Sequence, residues 1–276
     1  MIGRLLLVGT PIGNLGDLSP RARSALASAD LIVAEDSRVA AKLCSLSEVV
    51  ARGIRSYQGA GRIAGDQVAD LLESGATVAL VSDAGMPGVS DPGAEFVAVA
   101  YRSGIPVEVI PGPSAVVSAV ALWPETVGSF CFLGFSPKRK LERKEFLESL
   151  LQSERLSVFF DSPNRVCATL EELASLEPKR TVLVCRELTK LHEESVFLPA
   201  DRALLWARER PAKGEWVVAV APGVRKGLLD SQAAIDKIAA SRLGTKEAAE
   251  LVSALLGTSA RAAYTAILEL RRPGSV

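Results

Sequence analysis

Short apolar runs alternate with amphipathic stretches along the first two thirds of the chain. Alternation of this kind is typical of an α/β protein, in which buried parallel strands are joined by helices. Ser19 and Pro20 suit the N-cap and first position of one such helix. The predicted strands are Arg4 to Val8, Leu31 to Ala34, Thr77 to Val81 and Val107 to Ile110, and the predicted helices are Leu18 to Ala29, Gln67 to Leu72 and Ala94 to Arg102.

The pattern changes near Trp123, where a second series of strands begins. The strands predicted there are Phe130 to Gly134, Ser157 to Phe160, Thr181 to Val184 and Trp216 to Val220, with a charged helix that opens at Ser136 to Lys140 and runs through Leu151. Beyond about Leu228 the pattern is helical: Ser231 to Ser241, Thr245 to Leu256 and Ser259 to Arg271. We therefore predict an α/β fold of two domains, over residues 1–122 and 123–226, followed by a small helical module over residues 227–276.

Glycine and proline cluster directly after three strands of the first domain, in the turns Gly9 to Asn14, Ser82 to Gly93 and Pro111 to Ser114. In an open parallel sheet these turns share the carboxyl edge, where ligands bind. The first turn is not a dinucleotide loop, because Pro11 stands where the close-approach glycine of GxGxxG belongs. The loop by itself is equally consistent with a ligand-binding turn and with a plain strand-to-helix turn. Asp83 could accept hydrogen bonds from a ribose or an amino group of a ligand. Alternatively, Asp83 and Asp91 only cap turns or the helix that begins at Ala94.

Composition limits the kind of partner and compartment. The 276 residues carry 32 basic and 32 acidic side chains, so bulk electrostatic coating of nucleic acid is excluded and an RNA partner would need a local basic patch. The longest apolar run, Ala115 to Trp123, is too short to span a bilayer. Leu5 to Val8 is too short for a signal peptide. With no CxxC pair among four cysteines and a lone His192, we expect a cytoplasmic protein without a metal.

Seven motifs in register resemble one family. Residues Gly9 to Leu15, Ala34 to Arg38, Ala79 to Pro87 with Ser90 to Gly93, Pro111 to Ala115, Gly134 to Lys138, Arg186 to Lys190 and Lys213 to Glu215 are similar to the ribosomal RNA small-subunit methyltransferase I family. That family is a branch of the tetrapyrrole methylase superfamily. The tail, with Lys246 to Ala249 and Arg261 to Tyr264, resembles the family's C-terminal module.

The resemblance implies two α/β domains that bind S-adenosylmethionine in the cleft between them, and a homodimer. The implied reaction is methyl transfer to the 2′-hydroxyl of a cytidine in the decoding region of small-subunit (16S) ribosomal RNA. Carried over by position, the cofactor would contact Pro11, Asp83, Ala84, Gly85, Ser114 and Ala115, with the turns at Asp161-Ser162 and Leu188-Thr189 of the second domain closing on it.

A sulfonium methyl donor is already activated, so the protein must align the ribose oxygen and help remove one proton. The candidate catalytic residues are Glu35, Asp36 and Arg38 in the first domain and Arg186, Glu187 and Lys190 in the second. The alternative is that Glu187 and Arg38 form a structural ion pair between the domains. The sequence assigns the general base to none of them.

The densest basic segment is the candidate RNA contact. It contains Lys138, Arg139, Lys140, Arg143 and Lys144, against Glu142 and Glu145. A charge run of this kind is otherwise a solvated helix face. The segment and the helical tail favour RNA over a tetrapyrrole as substrate, since a small-molecule methylase needs neither.

Several positions depart from the family pattern. The family's His- and Asn-containing stretch is replaced by Gln58 to Arg62, and Met86, Asp161 and Asn164 stand where Thr, Glu and His are usual. Trp123 to Glu125 replaces a turn of small residues. Two alternatives therefore stay open: a tetrapyrrole carbon methylase, and a ribosome-assembly factor that holds the cofactor without catalysis.

Overall fold

The computed structural model describes residues 2–59, 61–223, 235–241, 243–256 and 259–271. The chain divides into two compact units. The first contains residues 1–150 and 155–221, and the second contains residues 151–154 and 222–276. The predicted boundary between residues 226 and 227 lies outside the described residues.

The first unit begins with a five-stranded sheet in the order β3-β2-β4-β1-β5, in which every pair is parallel. Its strands are β1 Arg4–Val8, β2 Leu31–Ala34, β3 Ile54–Ser56, β4 Thr77–Val81 and β5 Val107–Ile110. Its helices are α1 Pro20–Ser28, α2 Ser37–Leu46, α3 Gly65–Glu73, α4 Ala94–Arg102 and α5 Ala115–Ala121, with a 3-10 turn at Leu15–Asp17. The central strands are buried on both faces because helices cover both, as the continuous apolar runs predict.

Each face of this sheet has its own apolar core. On one face, Leu6, Val8 and Ile32 pack against residues of α1 and α2. On the other, Leu5 and Leu80 pack against residues of α3 and α4. Alternate residues of one strand therefore serve opposite cores, which fixes the register of the strands and hence the positions of the turns that follow them.

The second sheet has the order β6-β7-β10-β8-β9 and is mixed: β6 and β7 are parallel, and the other pairs are antiparallel. Its strands are β6 Phe130–Phe135, β7 Leu156–Asp161, β8 Thr181–Arg186, β9 Glu194–Pro199 and β10 Trp216–Val220. Its helices are α6 Lys140–Gln152, α7 Val166–Leu176 and α8 Ala200–Arg208.

One face of the second sheet is covered by residues from the first half of the chain. Ile12 from the turn after β1, Val116 and Ala119 from α5, and Trp123 form one cluster with side chains of β7, β8 and β10. The two sheets therefore share a core inside one compact unit. The predicted domain boundary at residue 122 stays a prediction, while the two-sheet α/β fold is confirmed.

The predicted strands and helices of the first unit are confirmed to within a few residues. The sequence patterns did not reveal α2, β3, α7, β9 and α8. Of these, β9 alternates exposed and partly buried residues and lies at the sheet edge, so its sequence carries a weak apolar signal.

The second unit contains α9 Thr245–Leu256 and α10 Ala260–Leu270, with a short helical segment at residues 235–239. Ala249, Val252 and Ile267 lie in its core. Arg271 donates hydrogen bonds to the carbonyl of Ala239 at 2.9 Å and to the hydroxyl of Thr245 at 3.2 Å. The predicted C-terminal helices are thus present over the described residues; residues 231–234 of the first one lie outside them.

Candidate active site

The turns after β1 and β4 are joined by backbone hydrogen bonds. Thr10 and Gly85 form an isolated antiparallel bridge, with N–H to O distances of 2.9 Å and 3.2 Å. The buried Thr10 hydroxyl lies 3.3 Å from the carbonyl of Ser82. Gly85 has a φ of 81°, a left-handed conformation that favours glycine. The predicted cofactor loops Pro11 and Asp83 to Gly85 are therefore held side by side.

The turns after β1 and β5 approach each other through glycine backbones. A Cβ built on Gly9 would lie 2.5 Å from the backbone N of Gly112, and one on Gly112 would lie 2.7 Å from the Cα of Gly9. Neither position has room for a side chain. The same Cβ on Gly9 would lie 2.7 Å from the Sδ of Met86, so this residue, which replaces the family's Thr, packs against the glycine contact.

Ser114 and Ala115 open α5 directly after the Pro111-Gly112-Pro113 turn. The Ser114 hydroxyl accepts a hydrogen bond from the backbone N–H of Val117 at 3.4 Å, so it caps the helix. Both residues are partly buried, and Ala115 packs against the cluster shared by the two sheets.

Glu35 and Asp83 meet at the ends of the neighbouring strands β2 and β4. The backbone N–H of Asp36 donates to Asp83 Oδ1 at 3.0 Å, and the backbone N–H of Asp83 faces the Glu35 carboxylate. Gln58 Nε2 also donates to Glu35 Oε1, at 3.1 Å. Partial burial, reinforced by the mutual charge of the neighbouring acids, raises the pKa of Glu35; burial also raises the pKa of Asp83.

Asp36 and Arg38 form a local pair at the start of α2. Asp36 is the N-cap, accepting from the backbone N–H of Arg38 at 2.8 Å, and its carboxylate binds the Arg38 guanidinium in bidentate fashion at 3.0 Å and 2.5 Å. The Arg38 hydrogen bond lowers the pKa of Asp36 to about 2. The suggested ion pair between Arg38 and Glu187 is not formed, since Arg38 pairs with Asp36 and Glu187 pairs with Lys190.

Asp91 organises the turn that follows Asp83 to Gly85. It accepts from the backbone N–H groups of Gly88 at 2.8 Å and Gly93 at 2.7 Å, which is the capping role considered for it above. The buried Tyr57 donates its hydroxyl to Asp91 at 3.4 Å. Tyr57 follows β3, so this hydrogen bond ties the turn after β3 to the turn after β4.

From the second sheet, the turn after β8 contacts the turn after β1. A Cβ on Gly13 would collide with the side chain of Lys190 and lie 2.9 Å from Thr189 Oγ1. Leu188 is buried in the same cluster as Ile12. Thr189 has a φ of 66°, so this turn stores backbone strain, a feature that clusters at functional sites.

Glu187 and Lys190 belong to a second ionic network. Lys190 Nζ lies 2.8 Å from Glu187 Oε1 and 3.1 Å from Glu215 Oε2, and Glu187 Oε1 also accepts from the backbone N–H of Glu215 at 2.9 Å. Burial acts to raise the pKa of Glu187, but the hydrogen bonds from Lys190 and the Glu215 backbone outweigh it, so the pKa is lowered. Arg186 is committed elsewhere, since it is 8% exposed and pairs with Glu194 of β9 at 3.1 Å.

Asp161, at the end of β7, is internal. It is 3% exposed and accepts from the backbone N–H of Ser162 at 2.7 Å and from the hydroxyl of Thr169 at 2.5 Å, with Arg165 Nε at 3.5 Å. Its side chain therefore fastens the start of α7 to the sheet. Any ligand contact at this turn falls to its neighbours rather than to the Asp161 carboxylate.

The structure corrects the basic segment at one position. Lys138, Arg139, Lys140 and Lys144 are exposed, but Arg143 is 8% exposed and its Nε lies 3.1 Å from Glu172 Oε2 of α7. Arg143 lies on the buried side of α6 because it precedes the fully buried Leu147 by one helical turn. Counting charges along the sequence does not reveal this side.

Sequence reasoning did not identify Gln58 as a hydrogen-bond partner of Glu35, Tyr57 as a partner of Asp91, or Glu215 as a partner of Lys190. The Lys213 to Glu215 motif was noted without a role; its Gly214, with a φ of 89°, was the available signal of a constrained turn. Over the described ranges, no three His, Cys, Asp or Glu side chains are grouped as metal ligands, and no helix combines the length and apolarity needed to cross a membrane.

Residues 4–203 match the family of Tetrapyrrole (Corrin/Porphyrin) Methylases. The protein named ribosomal RNA small subunit methyltransferase I in Mycobacterium tuberculosis is 38% identical over 275 residues, covering 98% of this chain and 96% of that protein. Its counterpart of the same name in Thermotoga maritima is 39% identical over 79% of this chain and 97% of its own.

Among solved structures, a uroporphyrin-III-C-methyltransferase from Thermus thermophilus has a TM-score of 0.57 at 20% identity, over 79% of this chain and 94% of that one. A uroporphyrin-III C-methyl transferase from the same organism, complexed with S-adenyl homocysteine, has a TM-score of 0.52 at 21% identity, over 79% and 97%. These likenesses establish a shared fold.

Proposed function

The chain belongs to the tetrapyrrole methylase family and, within it, to the ribosomal RNA small subunit methyltransferase I branch, and on that premise we propose that it transfers a methyl group from S-adenosylmethionine to ribosomal RNA. The observation that carries the proposal is 38% identity to a protein of that name over 98% of the chain. The target we propose is the 2′-hydroxyl of a cytidine in the decoding region of the small subunit, which locates the reaction in the cytoplasm.

The residues at the strand ends fit the methyl donor. The close contact between the Gly9 and Gly112 backbones brings the turns after β1 and β5 together, so that main-chain groups of both turns lie at the sheet edge where ligands bind. The hydroxyls of Ser162 and Thr189 are buried without a hydrogen-bond partner in the described part of the chain. A donor rich in polar groups would satisfy such atoms, whose burial is otherwise unfavourable.

We assign donor binding to the turns at Pro11, Asp83 to Gly85 and Ser114-Ala115 of the first sheet and to Ser162 and Leu188-Thr189 of the second. The donor supplies an activated methyl group when bound. The protein then has to exclude water, orient the ribose hydroxyl and accept its proton.

The exposed cations Lys138, Arg139, Lys140 and Lys144 are the proposed RNA contacts. Arg139 and Lys144 also face Glu142 at 3.0 Å and Glu148 at 3.7 Å, and such exposed pairs are weak enough to exchange for phosphate. Lys138 and Lys140 have no acidic partner within 4 Å among the described residues, so their charges are the most available. This segment favours a nucleic acid over a tetrapyrrole as substrate.

The decisive experiment is methyl transfer from labelled S-adenosylmethionine to small subunits purified from cells that lack this protein. Mass spectrometry of the product should locate one 2′-O-methylated cytidine in the decoding region. In parallel, Lys138→Glu with Lys140→Glu should reduce transfer and subunit binding but leave donor binding, measured by calorimetry, unchanged. Donor binding without transfer to any subunit would refute the proposal. An equal loss of subunit binding and donor binding in the double variant would refute the assignment of these lysines to RNA.

We also propose a homodimer. The edge strand β6 presents Phe130, Leu133 and Phe135 with 40%, 40% and 56% of their surfaces exposed, and edge strands with such side chains are natural pairing surfaces. Light scattering on the purified chain should give twice the chain mass, and Phe135→Asp should shift it to the monomer. A monomeric wild-type protein would refute this assignment.

A further inference from the structure

We propose that the Glu35 carboxylate accepts the proton from the ribose hydroxyl, with Gln58 as the residue that positions it. This inference rests on the proposed function and selects one general base from candidates among which the sequence did not choose. It follows from the surroundings of five carboxylates that the sequence singled out at the strand ends, namely Glu35, Asp36, Asp83, Asp161 and Glu187.

Three of those five are already committed to other groups. Asp36 forms a bidentate pair with Arg38 and caps α2. Glu187 is bound to Lys190 and to the backbone of Glu215. Asp161 is internal and holds Ser162 and Thr169. A carboxylate in a close ion pair is a weak base, and a buried one with filled acceptors cannot reach a substrate.

Asp83 and Glu35 remain. Asp83 opens the turn assigned to the methyl donor, and its Oδ1 accepts from the backbone N–H of Asp36. Glu35 is the last candidate: it follows β2, one strand away from the donor turn of β4, and it has no cation within 4 Å among the described residues. A base that lies beside the methyl donor, outside the turn that binds the donor, is placed to take the proton from an incoming hydroxyl.

Glu35 is held in place from three sides. Its carbonyl accepts from the Ser56 hydroxyl at 2.6 Å, its Oε1 accepts from Gln58 Nε2 at 3.1 Å, and the backbone N–H of Asp83 faces its carboxylate. These bonds fix the orientation of the carboxylate through uncharged donors. A neutral donor orients a base without removing its basicity to the extent that a cation would.

The groups facing Glu35 are acidic or neutral: Asp83 and Asp91 from the turn after β4, and Tyr57 and Gln58 from the turn after β3. Partial burial and the two aspartates raise the pKa of Glu35 toward the operating pH, whereas the Gln58 hydrogen bond acts in the opposite direction. Such tuning makes a carboxylate a better general base.

The proton of the 2′-hydroxyl moves to the Glu35 carboxylate, and the oxygen electron pair forms the new bond to the methyl carbon. The bond from that carbon to sulfur breaks, and its electron pair stays on sulfur, so that S-adenosylhomocysteine and protonated Glu35 are produced. Glu35 then returns the proton to water.

The test compares wild type with Glu35→Gln, Gln58→Ala and a control, Glu95→Gln, which changes an exposed carboxylate in the first turn of α4. Each is assayed for kcat on small subunits, for donor affinity by calorimetry and for thermal unfolding. We expect Glu35→Gln to lower kcat about a hundred-fold or more with donor affinity unchanged, as for loss of a general base. The control should match wild type.

The pH profile provides the readout that a structural role would not change. In wild type, kcat should rise with pH through the pKa of Glu35 and then level off. In Gln58→Ala that rise should move to higher pH, because the lost hydrogen bond stabilised the carboxylate. In Glu35→Gln the rise should disappear.

The outcomes separate the inference from the proposed function. Wild-type protein that methylates no subunit overturns both. Wild-type activity combined with an unchanged kcat for folded Glu35→Gln overturns the assignment of Glu35 alone. An unshifted pH profile for Gln58→Ala overturns the positioning role of Gln58.

Discussion

Replacing Arg143 with methionine separates two interpretations of the basic segment, because the sequence assigned this residue to RNA and the structure assigns it to the fold. The side chains of Arg143 and Glu172 are 9% and 12% exposed, and their charged atoms are 3.1 Å apart between α6 and α7. Methionine keeps the length and the apolar stem of the arginine but leaves the Glu172 carboxylate buried without its partner.

The expected cost follows from that burial. Removing one partner of a buried ion pair destabilises a protein by about 3–5 kcal/mol, since the other charge remains desolvated. The pair here retains some exposure, so we take the lower end, about 3 kcal/mol. For a unit of this size that corresponds to a fall in melting temperature of roughly 6–12 °C. The double variant Arg143→Met with Glu172→Met should recover most of the loss, because no buried charge is left.

The assay is thermal and urea unfolding of the three proteins, with subunit binding measured well below the melting temperatures. Lys140→Met is the matched control, since it removes a charge from the same helix at an exposed position. It should weaken binding and leave stability within about 0.5 kcal/mol of wild type. If Arg143→Met were as stable as wild type and bound subunits more weakly, the structural interpretation of Arg143 would be refuted.

Three further predictions follow from the strand ends and the cores. Gly9→Ala should destabilise the protein by about 1–3 kcal/mol and weaken donor binding, because its Cβ overlaps the backbone of Gly112; Gly128→Ala, with open space around it, should do neither. Asp161→Ala should cost about 3 kcal/mol in urea unfolding, since it leaves the Thr169 hydroxyl without its acceptor and the Arg165 guanidinium without its ion-pair partner, and an unchanged midpoint would contradict that role. Burial raises the pKa of Cys185 to about 12, so at pH 8 this thiol should react with Ellman's reagent only after unfolding, and rapid labelling of the native protein at Cys185, located by peptide mapping, would contradict its burial.

The positions of the first sheet's turns could be predicted from sequence because one physical rule governs them. Buried parallel strands are short continuous apolar runs, and the turns after them lie at one edge. Thr10, Asp83 and Ser114 were therefore placed near one another before any geometry was known. The Thr10–Gly85 bridge and the Gly9–Gly112 contact confirm that proximity.

The partners of individual charges could not be predicted, because they depend on which helix face is buried and on pairings far apart in sequence. Arg143 meets Glu172 29 residues away, and Glu187 meets the Glu215 backbone 28 residues away. Both contacts are made by antiparallel or helical packing around the second sheet, where α7 itself gave no clear sequence signal. The charge of a residue is thus a weaker guide to its function than the location of a residue at a strand end.

The replacement of the family's His- and Asn-containing stretch by Gln58 to Arg62 acquires a physical meaning at Glu35. A histidine in this stretch would carry a charge below pH about 6.5 and would then lower the pKa of a neighbouring carboxylate. Gln58 donates one hydrogen bond to Glu35 but does not titrate. The pH dependence of proton acceptance in this chain is therefore set by Glu35 and its acidic neighbours Asp83 and Asp91, without a second titrating group from the turn after β3. Introducing Gln58→His should add that group, so that kcat acquires a second inflection near pH 6.5 in the variant, a value expected for an ordinary histidine.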